Sequence, residues 1–361
     1  MKIMDVIQMS IRSIPIPISR YTRIFLSNPV VCNLYITEMC NLRCSMCDIW
    51  KRAEPKKELD FKELKNLLRQ LKKMGVKLIG ITGGEPLMKK DILKFVKQAK
   101  KMGFIVHINS NTALVNSEKK AEDIINSGLD SFTVSFDGLK KTHDKTRNVK
   151  GTFKRAVKGT KLLLKARKKL KKGMRIGTST VIMKSNLDEI KKLTLMLKDL
   201  GVDAIAFQPF TVGLMDDNRA KKKYMITDKK DVRKLDSLIK WLIKLKKDTG
   251  IIGNSFEFLR LVPNYFSQKG VPSCFAGYFN IDLDAKGNVY PCIAMKSVGN
   301  IREHSLKKIW KNKGYASFRK WILPKCQKCF IGCYGEPSLL YNPRFMLSSF
   351  RNVLMKLKLI R

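Results

Sequence analysis

The sequence predicts an α/β fold, a partial (βα)6 TIM-like barrel followed by a smaller second domain. Three observations carry this reading. Between residues 30 and 209, short apolar runs alternate with longer amphipathic ones, giving six strand-like segments at intervals of roughly 25 to 40 residues. The amphipathic runs open on capping residues and close on glycines, where helix physics places them. Six strand units are too few to close an eightfold barrel, so the sheet is expected to stay open.

The elements follow in order. Strands are expected at 31–37, 77–82, 104–109, 131–135, 175–183 and 202–207. Between them lie helices at 60–75, 91–102, 116–126, 152–171 and 187–200, with Asp60 as a cap and Gly75, Gly103, Gly128 and Gly201 as stops. Strands separated by helices pair in parallel through right-handed crossovers. After Phe210 the rhythm breaks. A helix is expected at 228–247, and strands at 279–284 and 288–293 form a hairpin around Lys286-Gly287. Ser305 caps a short helix ending at Trp310. The expected division is an amphipathic segment 1–29, the barrel 30–225, a connecting helix and second domain 226–340, and a basic amphipathic helix 341–361.

Of 361 residues, 44% are hydrophobic, enough for a substantial core. Lys and Arg number 73 against 30 Asp and Glu, a net charge of +43. Such a surface attracts nucleic acid, anionic membranes or acidic partners. Runs such as 165–172 also read simply as solvated helix faces. The cysteines are odd in number, nine, and clustered, and no signal-peptide h-region appears, which argues against a secreted disulfide scaffold. No run of about 18 apolar residues predicts a spanning helix. The expected location is the cytoplasm, peripheral to the membrane if the termini bind lipid. Ile3, Met4, Ile7, Ile11 and Ile14 follow helical spacing. So do Leu347, Phe350, Leu357 and Ile360, flanked by Arg344, Arg351, Lys356, Lys358 and Arg361.

Chemistry concentrates in two cysteine clusters. Cys40, Cys44 and Cys47 directly follow the first strand. Three thiolates from one loop can hold a four-iron cluster and leave one iron open to a small molecule, whereas a structural zinc site would call for a fourth ligand nearby. Gly83-Gly84-Glu85-Pro86 follows the second strand, Ser110-Asn111 ends the third and Ser135-Phe136-Asp137-Gly138 the fourth, with His143, Asp144 and Arg147 beyond. Ser110, Asn111, Ser135 and Asp137 stand at C-terminal strand ends, where barrels of this kind build active sites. His143 reads as a loop hydrogen-bonder and Cys32 as a buried apolar side chain.

Taken in this order, these residues resemble the radical S-adenosylmethionine (radical SAM) superfamily. The resemblance implies a [4Fe-4S] cluster with an open iron on Cys40, Cys44 and Cys47. It implies S-adenosylmethionine held by Gly83, Gly84, Glu85, Pro86, Ser110, Asn111, Ser135, Asp137 and Arg147. Asn148 departs from the glycine usual after that arginine. Cys274, Cys292, Cys326, Cys329 and Cys333, with Gly287 five positions before Cys292, resemble the SPASM domain or its shorter twitch relative. The number of cysteines suggests one auxiliary [4Fe-4S] cluster, although the spacing of Cys292, Cys326, Cys329 and Cys333 also permits a zinc knuckle. In sulfatase-maturing relatives an aspartate follows the cysteine corresponding to Cys292, and here Ile293 stands there.

The implied activity is reductive cleavage of S-adenosylmethionine to a 5′-deoxyadenosyl radical, fed by reduced ferredoxin or flavodoxin. That radical would take hydrogen from a peptide, lipid or small-metabolite substrate. Modification of transfer RNA or another nucleic acid by the same chemistry, motivated by the charge, is an alternative, as is a non-catalytic iron–sulfur electron carrier.

Overall fold

Alternation along the strands decides the architecture. In most barrel strands one set of alternate side chains is apolar and buried, while the other is mainly polar or small. The computed structural model describes residues 3–22, 24–211, 223–326 and 329–345. Helices α1 (Ile3–Ser13) and α2 (Pro15–Tyr21) precede the sheet. Then come β1 (Val31–Thr37), α3 (Phe61–Met74), β2 (Leu78–Gly83), α4 (Ile92–Lys101), β3 (Ile105–Ser110), α5 (Glu118–Asn126) and β4 (Ser131–Ser135). The chain continues through α6 (Lys140–Arg147), α7 (Thr152–Lys169), β5 (Arg175–Ile182), α8 (Ile190–Asp199) and β6 (Ala204–Pro209).

Six parallel strands follow the order β6-β5-β4-β3-β2-β1. Their covered sides carry Cys32, Leu34, Ile36, Ile79, Ile81, Val106, Ile108, Phe132 and Val134, all buried. The helices answer in kind: α3 buries Leu64, Leu67, Leu68 and Leu71. Each such side chain contributes about 1.5 to 3 kcal/mol. The α3 helix starts on a reciprocal cap. Glu63 N–H donates to Asp60 Oδ1 at 2.8 Å, and Asp60 N–H donates to Glu63 Oε2 at 2.8 Å.

The second region consists of α9 (Lys229–Thr249), α10 (Phe256–Phe266), β7 (Asn280–Leu283), β8 (Asn288–Tyr290), β9 (Gly299–Asn300), α11 (Leu306–Trp310), α12 (Lys313–Lys325) and α13 (Gly332–Tyr341). The expected hairpin is present. Asp284 organises its turn, accepting from Lys286 N–H and Asn288 N–H at 2.9 Å each. The hairpin does not stand apart from the barrel. Strand β7 pairs in parallel with β1, with Asn33 opposite Asp282, so the sheet runs on through β7, β8 and β9.

Sequence periodicity missed α6, α10, α12 and α13. The α6 helix is too polar to show an apolar stripe, and α10 and α13 carry Pro263 and Pro337 inside them. Residues 346–361, expected to be helical, lie outside the described residues. Among the described residues no helix is long and apolar enough to cross a membrane.

Replacing Asp60 with Ala should cost about 1 kcal/mol, read as a lower urea midpoint at unchanged slope. An unchanged midpoint would show that the cap does not limit α3.

Candidate functional site

The first cysteine loop leaves the C-terminal end of β1 and is held from several sides. Glu58 accepts from Thr37 Oγ1 at 2.6 Å and from Glu38 N–H at 3.0 Å, and Lys89 Nζ reaches it at 2.9 Å. Gly84 N–H donates to Thr37 O and Glu85 N–H to Met39 O, both at 2.8 Å. Asn111 Nδ2 donates to Asn41 Oδ1 at 2.8 Å, and Ser45 N–H to Thr146 O at 2.9 Å. Arg43 stacks on Trp50, its guanidinium 4.7 Å from the ring centre, while donating to Cys40 O at 2.7 Å. The loop is therefore shaped by its neighbours before any ligand arrives.

Two glycines make this seating possible. Gly83 has φ +126°, and a Cβ there would sit 2.2 Å from Thr37 O. A Cβ on Gly84 would sit 2.1 Å from Met39 O. The close approach that the Gly-Gly pair permits is thus to the backbone entering the cysteine loop.

Glu85 is buried, and its carboxylate accepts from Ser110 Oγ and Asn111 N–H at 2.8 Å each, and from Leu87 N–H at 3.1 Å. Burial raises its pKa against these donors. The side chain ties the ends of β2 and β3 together. With Ser110 Oγ committed to Glu85, Ser110 orients the strand end, and Asn111 joins that end to the cysteine loop.

Asp137 and Arg147 form a buried ion pair. Asp137 also accepts from Val181 N–H at 3.0 Å, and Arg147 Nη1 lies 3.9 Å from Cys44 Sγ. Burial works against the Arg147 charge, but Asp137 and Cys44 outweigh it and raise its pKa. Asp137 therefore aims a permanent cation at the first cysteine cluster. Asn148 closes α6 at φ +54°, a left-handed position that asparagine tolerates in place of glycine. His143 lies in α6 rather than in a loop, and its Nδ1 accepts from Asp137 N–H at 3.1 Å. Asp144 binds the start of α7 through Gly151 N–H at 2.7 Å and Phe153 N–H at 2.8 Å. Ser135 ends β4 opposite Ser179 on the lumen side.

Cys40, Cys44 and Cys47 are free and half-buried. Burial pushes the Cys40 thiol up to about 11 and raises Cys47, so stable thiolates there call for a cationic partner such as iron. Among the described residues no three metal-binding side chains already close on a common point. The fold presets the loop, and a donor set of three thiols, with the Arg147 guanidinium beside Cys44, suits a cluster with one open iron.

In the second set, Cys292 belongs to an apolar cluster with Phe275, Phe279, Tyr334 and Tyr341, and Cys274, Cys326 and Cys329 pack against it. Cys333 stands in the first turn of α13, within electrostatic reach of Asp282, Cys329 and Cys274, and the adjoining Gly332 lies against Gln208 of β6. Arg20 of α2 donates to Cys274 O and covers the Phe275 ring, 4.5 Å from its centre.

Sequence reading overlooked Asp282. Fully buried on β7, it accepts from Asn33 Nδ2 at 2.7 Å, Asn280 Nδ2 at 2.9 Å and Tyr334 Oη at 2.6 Å. Tyr334 Oη in turn accepts from Ile293 N–H at 3.3 Å. This network links β1, the residue after Cys292 and the residue after Cys333. Tyr35 was also overlooked. Its pKa is raised first by burial and then by Cys333, Asp282, Cys292 and Cys47, which places it between the two cysteine sets. Tyr35, Glu38, Arg52, Asp284, Tyr290 and Ile293 line a cleft beside the first loop.

Residues 34–197 match the family model described as the radical SAM superfamily, and residues 274–330 match the iron–sulfur cluster-binding domain SPASM. An AdoMet-dependent heme synthase of Methanosarcina barkeri is 25% identical over 349 residues, covering 85% of this chain and 95% of that protein. The GTP 3',8-cyclase of Aquifex aeolicus is 26% identical over 314 residues, covering 80% and 91%. The crystal structure of Streptococcus suis SuiB bound to its precursor peptide SuiA superposes with a TM-score of 0.65 at 18% identity, over 88% of this chain and 74% of that one. That last likeness is one of fold.

Gly84→Ala should destabilise the protein by about 1 to 3 kcal/mol and speed maleimide labelling of Cys40. An unchanged labelling rate would show that the loop does not depend on this contact. A second expectation concerns pH. Burial first, then the Arg147 charge, pulls the His143 pKa down to about 4. Its folded value thus lies below its unfolded value of about 6.5. The neutral imidazole contributes stability that is complete above that unfolded value and is lost as pH falls towards 4, by up to about 3 kcal/mol. Urea unfolding at a series of pH values should show this acid slope shrinking in His143→Gln. An equal slope in both proteins would assign it to other groups.

Proposed function

The chain belongs to the radical SAM superfamily and carries a C-terminal SPASM domain, and from that premise we propose that it cleaves S-adenosylmethionine reductively and takes hydrogen from a peptide, lipid or small metabolite. The observation that carries this reading is the joint seating of the Cys40–Cys47 loop by the Gly83–Pro86 turn, Asn111 and Arg147. When bound, the cluster and S-adenosylmethionine supply one-electron cleavage of a carbon–sulfur bond to methionine and a 5′-deoxyadenosyl radical.

The residues of the chain divide the remaining work. Cys40, Cys44 and Cys47 hold the first [4Fe-4S] cluster. Arg147, fixed by Asp137, offsets negative charge at Cys44. The Gly83–Glu85 backbone faces the amino group of S-adenosylmethionine, and Asn111 and Ser135 face its ribose side. Ligands for one auxiliary [4Fe-4S] cluster come from among Cys274, Cys292, Cys326, Cys329 and Cys333. A small metabolite is favoured over a peptide, because relatives matched over most of their length are named AdoMet-dependent heme synthase and GTP 3',8-cyclase. Reduced ferredoxin or flavodoxin supplies the electron, and the +43 charge steers such acidic carriers.

Anaerobic reconstitution with iron and sulfide should load about eight irons per chain, and added dithionite and S-adenosylmethionine should then yield 5′-deoxyadenosine. Replacing Cys40, Cys44 and Cys47 with Ala should abolish 5′-deoxyadenosine and leave about half the iron. Loss of all iron in that variant would contradict the two-cluster assignment. Absence of 5′-deoxyadenosine from fully loaded wild-type protein would contradict the enzyme reading.

A further inference from the structure

Helices α1 and α2 carry apolar residues on the wrong side for a domain that only needs to pack. Their inner face is docked: Ile16, Ser19 and Arg20 are buried, Arg12 lies on Gly75 at the end of α3, and Gln8 accepts from Lys77 Nζ at 2.5 Å. The outer face carries Ile11, Ile14, Ile18 and Tyr21, which are 59, 60, 44 and 53% exposed. These positions follow helical spacing and form one outward stripe. It continues into the next segment, where Ile24 and Leu26 are 62 and 58% exposed while Phe25 turns inward against Arg319. That alternation is fixed rather than loose, since Ile24 N–H donates to Thr22 Oγ1 and Leu26 N–H to Ser19 Oγ. Six of the eleven exposed large apolar side chains among the described residues fall in this short stretch. A concentration of this kind marks a docking surface.

We propose that the outward face of residues 11–26 seats on an anionic lipid bilayer. Charge names the partner: a chain of net charge +43, with Arg12 and Lys77 beside the stripe, is drawn to an anionic surface that apolar side chains can also enter. Nucleic acid shares the charge but offers no medium for isoleucines. A second observation points the same way. Tyr341 Oη and Ser13 Oγ are hydrogen-bonded at 3.2 Å, so the helix that ends at Tyr341 ends beside α1. The sequence of 346–361 combines Leu347, Phe350, Leu354 and Leu357 with Arg351, Lys356, Lys358 and Arg361. A second run of mixed apolar and basic sequence thus follows the helix that ends beside α1. An apolar insertion together with basic attraction supplies the two signals that lasting membrane attachment takes.

Reconstituted full-length protein should co-sediment with vesicles of equal parts phosphatidylcholine and phosphatidylglycerol, and not with phosphatidylcholine alone. Ile14→Glu/Ile18→Glu should lower the bound fraction at least about tenfold, with iron per chain and 5′-deoxyadenosine yield unchanged. If that double variant loses iron, Ile24→Glu, in the loop beyond the helices, takes its place. Equal binding by variant and wild type, or no binding by wild type to either vesicle, overturns the proposal. So does a dimer in gel filtration that the variant turns into monomer while vesicle binding persists, for then a second copy covers the stripe. Vesicle binding is read independently of 5′-deoxyadenosine, so failure of this proposal and failure of the catalytic reading are distinguishable.

Discussion

Everything at the barrel mouth depends on one backbone contact, the nesting of the Gly83-Gly84 turn against Thr37 and Met39. Side-chain hydrogen bonds can be rebuilt by rotamer changes, but two main chains at this distance leave no room for any Cβ. The contact fixes where the cysteine loop begins. Asn41, Ser45 and Cys44 are then met in turn by β3, by the end of α6 and by Arg147. Each strand end supplies one restraint, so the loop geometry is a property of the sheet rather than of the loop.

Electrostatics builds on that frame. Asp137 has no solvent to share its charge with, and neither does most of Arg147. Each is tolerable only because of the other. The same arrangement recurs at Asp282, where three donors surround a buried carboxylate, and burial still pushes it up to about 6. In both places a costly group sits in the wall of the lumen and orders the segments that carry cysteines. Such groups trade stability for position, which is the usual sign of a wall built around chemistry.

Much of this was legible in the sequence. The six barrel strands and the helices that alternate with them follow from period and capping, and Cys40, Cys44, Cys47, Gly83 to Pro86, Ser110, Asn111 and Asp137 follow strand ends as expected. Three things were not legible. The parallel pairing of β7 with β1 joins segments more than two hundred residues apart, and nothing local records it. The α6 helix has no apolar stripe to betray it, although Arg147 acts from its last turn. Asp282 and Tyr35 look like ordinary strand residues until register places Asn33 beside one and the cysteine sets around the other. The signal available for Asp282 was a lone acid in an apolar strand, which counts only once a partner strand is known.

The Arg20 contact carries a consequence for handling the protein. Helix α2 shows isoleucines to the outside and grips the Cys274 carbonyl with its inner face. The leading segment is thus a clasp over the apolar pocket around Cys274 and Phe275 as well as an outer skin. Shortening the chain ahead of residue 30, a common step towards better solubility, would remove the greasy surface and unfasten the pocket together. A trimmed protein that comes out clear and well behaved but poor in iron would reflect that lost clasp rather than any weakness in the cysteines.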